Sequence, residues 1–294
     1  MTKSKIKEDF GSRIFDVINV ILMGAIMIIT LYPMIYILFA SLSKGNLLLG
    51  HTGLLFHPLG FSLEGYNAAF KDPMIVKGYA NTLFIVLAGG FLSLAVSALG
   101  AYALSRKNFM MVKPVMLTIV FTMFFSGGMI PYYFTVRELG LYNSTWALIL
   151  PSLVSTFNLI IMRTGFASVP DSLIEAATID GADHFRTFWS VVLPLVKPVL
   201  AVIALYYTVS KWNAWFDAML FLQDRAKYPL QLILRGILLA NDTSLMTGSE
   251  LDQEAIGESI KYGVIVIATL PILCVYPFLQ KYFVKGVMVG AVKG

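Results

Sequence analysis

The sequence is short of charge. Only 13% of its 294 residues are Asp, Glu, Lys or Arg, while 57% are hydrophobic. A soluble domain ordinarily carries about 25% charged residues, so a membrane protein is expected. The single cysteine, Cys274, excludes an internal disulfide and any cysteine-based metal cluster. Its apolar surroundings suit a small packing or lipid-facing residue. Histidine is scarce as well: His51, His57 and His184 are scattered, with no H-E-x-x-H zinc pair. A G-x-S-x-G elbow is missing, and with it a common hydrolase nucleophile. The G-x-x-x-x-G-K-[ST] loop that cradles ATP is missing too, so any energy source lies in another molecule. Catalytic residues, a metal site and a cofactor are therefore not expected. Internal repeats and low-complexity tracts are also lacking.

Long apolar runs are abundant. A helix needs about 20 mostly apolar residues to cross the hydrocarbon core of a bilayer. Six segments approach that length: residues 14–40, 81–104, 114–134, 146–166, 198–222 and 262–283. The runs are continuous, which excludes the alternating strands of a membrane barrel. The first is too long for a signal peptide and lacks a cleavage site, so it reads as a retained span. An all-α integral membrane protein with six transmembrane helices is expected. With the N-terminus inside, most of the 22 lysines and arginines fall in inner segments, which predicts that both termini are cytoplasmic. The net charge of +5 then reflects inner-loop cations rather than nucleic-acid binding. Outside, residues 41–80 contain "FHPLGFSLEGYNAAFKDP" and read as a folded surface element. Residues 223–261 combine "YPLQLILRGILLA", a short helix near the interface, with the polar loop "NDTSLMTGSELDQE".

One inner segment, "EAATIDGADHFRTFWSVVLPLVKP", is too polar for a span and reads as a pair of short helices. Ser168 to Asp171 offers a capping-box-like start with Pro170 tolerated in the first turn. Gly181 supplies the turn that ends the first helix. Asp180 and Asp183 suit the positive end of a second helix. Phe185, Phe188, Trp189 and Val192 then recur at helical spacing as one apolar face. Such a pair, fixed to the ends of two spans, can act as a lever, with Phe185 or Trp189 anchored in a partner's pocket. The bland alternative is an interfacial helix on lipid headgroups, which the acidic start disfavours.

Glu175, Ala176 and Ala177, then Gly181, then Val191-x-Leu193-Pro194 resemble the EAA motif of ABC-importer permease subunits. Valine at 191 departs from the more usual isoleucine. The resemblance covers nearly the whole chain, through "FFSGGMIPYYF", "LGLYNSTWALILP", "KWNAWFDAMLFLQD", "YPLQLILR" and "YFVKGVMVGAVKG". Together these are similar to carbohydrate-uptake permeases of the MalG type, and within them to the LplC-like branch. The resemblance implies a type I importer (MetI-like) fold: a cytoplasmic N-terminus at 1–13, a six-span permease domain at 14–283 and a cytoplasmic tail at 284–294. It implies a second, homologous permease, two copies of a cytoplasmic ATPase, and an extracytoplasmic sugar-binding protein that delivers a carbohydrate, read as an oligosaccharide. The EAA loop, residues 168–197, would be the coupling helix seated on the ATPase. Its contact residues would be Glu175, Ala176, Ala177, Asp180, Gly181, Phe185 and Trp189. The tail would also reach the ATPase. The expected location is the bacterial cytoplasmic membrane, with lipid around the spans.

Polar residues inside spans usually face a bundle interior or a wet cavity. In the fifth run Tyr206, Ser210, Asn213 and Asp217 form a stripe on one helix face, flanked by Trp212 and Trp215. Tryptophan beside hydrogen-bonding groups suits a sugar, although interfacial anchoring and helix packing explain the same residues. In the third run Thr118, Thr122 and Ser126 precede Gly127, Gly128 and Pro131, where a break or kink is expected. Ser155 and Asn158 are weaker candidates in the fourth. Two other readings remain: a permease for a non-sugar solute such as a polyamine or phosphonate, and an ion-coupled secondary transporter. The latter would call for intramembrane carboxylates and a repeated half, and Asp217 is the sole deep carboxylate.

Overall fold

The computed structural model describes residues 10–106, 110–240, 257–274 and 277. Among these the regular structure is helical, apart from one isolated bridge between Ser43 and Phe61. The chain forms two compact units, Met1–Lys71 with Ala240–Ile267, and Asp72–Leu239 with Ala268–Gly294.

In the first unit, α1 (Phe10–Ser41) has 32 residues, a length of about 48 Å at 1.5 Å per residue. None of its most apolar stretch is buried within the chain, so lipid or another subunit must cover it. Its C-terminal end is held by hydroxyls. Tyr32 accepts from the Leu55 amide at 2.9 Å, Ser41 meets the Tyr66 hydroxyl at 2.7 Å, and Ser43 accepts from the Leu59 amide at 2.9 Å. The stretch expected to be a folded surface element is indeed folded. Its helix α2 (Glu64–Lys71) carries Gly65, where a Cβ would stand 2.5 Å from the Ser259 carbonyl oxygen. Only glycine permits that approach of two backbones.

The second unit opens with α3 (Pro73–Ser105). Asp72 caps it by accepting from the Met74 amide at 2.8 Å, and Pro73 takes the first helical position. The helix therefore begins eight residues before the expected 81, because cap and proline outrank the polar residues that follow. A π turn, Ile85–Gly89, interrupts it. Next come α4 (Val112–Phe124) and α5 (Met129–Glu138), bent by 116° at the expected glycines, with Gly128 at φ +89°. The fourth run is not one helix over 146–166. A 3-10 turn (Thr145–Leu148) and a loop containing Pro151 precede α6 (Thr156–Ala167), which Ser155 caps. Proline removes an amide and disfavours helix in the residue before it.

Beyond α6 lie α7 (Asp171–Ile179) and α8 (His184–Leu195), then α9 (Lys197–Trp212), which turns 85° away from α8. The fifth run does not reach 222 unbroken: α10 (Phe216–Phe221) follows a non-helical break at residues 213–215. The expected short helix is α11 (Leu230–Ala240), and α12 spans Gly257–Cys274. Helices α1, α3 and α12 are each long and apolar enough to cross a membrane, and the described total reaches at most five if each bent pair is counted as one span. The expected sixth is represented by α6, which has 12 residues. Most of residues 275–283, the tail 284–294, and residues 1–9 lie outside the described residues, as does the polar loop after α11.

A core in the second unit joins α3, α6, α8 and α9: Ala101, Tyr102, Leu159, Met162, Phe166, Phe188, Val192, Ile203 and Tyr207 are all buried. Tyr207 ties three elements together, its hydroxyl 2.7 Å from Ser97 Oγ and accepting from the Ser155 amide at 3.0 Å. Interhelical hydrogen bonds of this kind hold spans together where lipid supplies no hydrophobic drive.

Candidate functional site

The polar segment at 168–197 is built on that core. Helix α7 ends in a Schellman motif: the Gly181 amide donates to the Thr178 carbonyl at 3.0 Å and the Ala182 amide to the Ala177 carbonyl at 2.9 Å. The motif needs a left-handed residue, and Gly181 has φ +78°. The second start is also as expected, since Asp183 Oδ1 accepts from the Arg186 amide at 2.7 Å. The first start is not. Pro170 occupies the cap position with no side-chain bond, and Ser168 donates back to the Gly165 carbonyl at 2.8 Å, closing α6 instead.

The expected single apolar face is split in two. Phe188 and Val192 are buried in the core, whereas Phe185 and Trp189 are 64% and 53% exposed. The cause is the π turn at Phe188–Val192, which inserts a wider turn and rotates the faces relative to regular 3.6-residue spacing. Phe185 and Trp189 form an edge-to-face pair with centroids 6.1 Å apart, and Ile179 at the end of α7 is exposed too. Glu175, Ala176 and Asp180 are exposed as well, while Ala177 is buried.

The structural base of this element was not legible as a site in the sequence. Tyr102, Phe166 and Phe188 form an aromatic cluster with centroids 5.1 to 6.3 Å apart. The ends of α3 and α6 are joined by two arginines in reciprocal fashion. Arg163 donates to the Leu104 carbonyl at 2.8 Å, and Arg106 donates to the Phe166 carbonyl at 3.0 Å. Each satisfies carbonyls that a helix C-terminus leaves orphaned. Arg106 also lies over the Tyr102 ring at 5.0 Å. As sequence, both arginines read only as inner-side charge.

In the fifth run the polar stripe is broken rather than continuous. Tyr206, Ser210 and Asn213 are exposed, but α9 stops at Trp212 and half-buried Asp217 belongs to α10. Asn213 caps α9, its Nδ2 donating to the Val209 carbonyl at 3.0 Å. Trp212, expected to flank a sugar path, is only 3% exposed. Its Nε1 donates to the Ala268 carbonyl at 3.0 Å and its ring meets Tyr79 edge-on. That ring is a packing group here, and Asn158 is likewise buried. Ser126 is exposed in the break between α4 and α5, past the end of the helix carrying Thr118 and Thr122.

Three of the quoted motifs meet at one place. Asn143, at φ +54°, donates its amide to the Phe221 carbonyl, and its Oδ1 accepts from the amides of Gln223 and Asp224 at 3.1 Å each. Its own carbonyl accepts from Lys227 Nζ at 2.7 Å. Asn81 Nδ2 donates to the carbonyls of Ala226 and Tyr228.

The sequence profile of a transport family, described as "Binding-protein-dependent transport system inner membrane component", matches residues 107–289, which contain both arrangements except Asn81, Tyr102, Leu104 and Arg106. The chain belongs to that family. Similar relatives include Protein LplC of Bacillus subtilis, 41% identical and covering 97% of this chain and 96% of that protein. The polygalacturonan/rhamnogalacturonan transport system permease protein YtcP of the same organism is 39% identical, covering 96% and 99%. A solved chain of a bacterial ABC transporter involved in the import of the acidic polysaccharide alginate superposes with a TM-score of 0.86. It is 33% identical, covering 94% of this chain and 99% of that one. Members of the binding-protein-dependent transport family are multi-pass membrane subunits, so the protein is a transport permease and not an enzyme.

Proposed function

We propose that this chain forms half of the translocation path of an ATP-driven importer for an oligosaccharide. In this reading it pairs with a second, homologous permease, takes sugar from an extracytoplasmic binding protein, and rests on two copies of a cytoplasmic ATPase. Both termini are cytoplasmic, as is the EAA loop at 168–197. The 1–13 and 284–294 segments flank the six-span domain, and the tail reaches the ATPase.

The observation that carries the coupling role is the division of labour within α8. Phe188 and Val192 root it in the core, while Phe185 and Trp189 stand out from it. An exposed aromatic pair costs stability unless something covers it, and a pocket on a cytoplasmic partner is a suitable cover. The rigid base formed by Tyr102, Phe166 and the two arginines lets force applied there reach the ends of α3 and α6. The carbohydrate assignment draws support from the relatives, whose names include polygalacturonan and rhamnogalacturonan transport.

The test is reconstitution. Vesicles holding this chain, its partner permease and the ATPase, with the binding protein outside, should accumulate labelled oligosaccharide only when ATP is inside. Accumulation without ATP, or driven by a proton or sodium gradient, would refute the reading.

A further inference from the structure

The break in the fifth run places non-helical backbone at 213–215 inside a membrane-length apolar segment, where the Asn213 carbonyl and the Trp215 amide lie beyond the two helix ends. In hydrocarbon such backbone survives only where protein buries it or a wet cavity meets it. Asn213 is exposed in this chain, which fits the second case. Trp215 sits at the N-terminal cap of α10, and Met219 lies one turn on, its amide donating to the Trp215 carbonyl at 2.9 Å. These two side chains share a face.

Over that face lies Arg235 of α11. Its guanidinium carbon is 4.1 Å from the centroid of the Trp215 ring, and its Nη1 is 3.1 Å from Met219 Sδ. Buried Leu230, Leu232 and Leu234 fix α11 in place, and the Leu230 amide donates to Thr82 Oγ1 at 2.8 Å. Stacking satisfies the flat face of a guanidinium but not its in-plane N–H groups, and a thioether is a weak acceptor. Among the described residues Arg235 has no carboxylate within ion-pair distance. Asp217, midway between Trp215 and Met219 in sequence, falls about 200° round α10 from Trp215, on the opposite side. A planar fork of donors is thus presented, half-buried, over Trp215, whose ring in turn meets the exposed ring of Phe216.

A guanidinium fork matches a carboxylate in bidentate fashion, and aromatic ring faces suit the C–H faces of a pyranose. We propose that Arg235 is a specificity residue that reads the carboxylate of a hexuronate unit at the break between α9 and α10. The transported oligosaccharide is then an acidic one. This rests on the importer reading above and narrows its substrate class.

The test uses the complete transporter in vesicles, with trigalacturonate and its methyl ester as probes and maltotriose as a neutral sugar. Wild type should favour trigalacturonate over the ester. Arg235→Gln should lower uptake of the acid by about tenfold or more, the loss expected for a charge-assisted hydrogen bond. It should leave uptake of the ester unchanged, and Arg235→Lys should fall between. An equal loss on acid and ester, at equal protein levels in the vesicles, would mean that Arg235 only anchors α11 or meets a lipid phosphate, and would overturn the inference. Import of maltotriose and ester but not acid by wild type would overturn it too, while leaving the importer reading intact. Uptake of none of the three would overturn the inference, and uptake that proceeds without ATP would overturn both.

Discussion

Gly181→Val is the sharpest probe of the coupling role. At φ +78° the valine has two options. Holding the left-handed turn costs about 1–2 kcal/mol, and more for a β-branched side chain. Flipping to negative φ releases the Gly181 and Ala182 amides from Thr178 and Ala177, two hydrogen bonds worth about 1 kcal/mol each. The two costs are similar, so the variant divides between a strained native turn and an unwound one, and the correctly placed population of α8 falls by about half. No neighbour stands within 4 Å of a Cβ at this position, so the effect arises from backbone conformation and not from a clash. Insertion and the core stay as they are. Reconstituted vesicles should therefore show wild-type permease levels, uptake reduced about twofold, and ATP hydrolysis that is partly unlinked to transport. Gly181→Asn, whose side chain tolerates the left-handed region, should restore most of the uptake. Wild-type uptake by the valine variant, or an equal loss in the asparagine variant, would refute the reasoning.

Four further outcomes are expected. Phe185→Ala combined with Trp189→Ala should change thermal stability by less than about 0.5 kcal/mol, because both are exposed, yet abolish copurification of the ATPase. Phe188→Ala, at 3% exposure, should instead cost about 3–5 kcal/mol in a thermal melt. Asp217→Asn should keep much of the sugar uptake while Asp217→Leu loses it if the carboxylate meets a hydroxyl in the path. A cysteine at 217, with Cys274 removed, that resists water-soluble thiol reagents in every nucleotide state would place the residue against a helix. Lys211 is 5% exposed inside α9, its Nζ reaching only Ser152 Oγ at 3.2 Å among the described residues. Lys211→Met keeps the volume and removes a poorly compensated charge, so the melting temperature of the complex should hold or rise; a fall would show that the ammonium holds Ser152 in place.

What the sequence determined by itself was whatever depends on local pattern. Long apolar runs announce membrane helices because every residue of a span meets the same solvent. Gly127 and Gly128 announce a break, Gly181 a left-handed turn, and Asp183 a cap, because each acts on backbone within four residues. The EAA spacing carried the family for the same reason, being contiguous. Tertiary structure decided the rest. The π turn at Phe188–Val192 split one apparent apolar face into a buried and an exposed half, a rotation that no 3.6-residue pattern reveals. Trp212 turned inward because a carbonyl at Ala268, 56 residues away, accepts its N–H. Arg106 and Arg163 became mutual clamps on two helix ends, and Arg235 came to lie on Trp215, through contacts that join residues 59, 60 and 20 positions apart. A side chain's solvent, partner and exposure are properties of packing, and packing brings together residues between which the sequence shows no local relation.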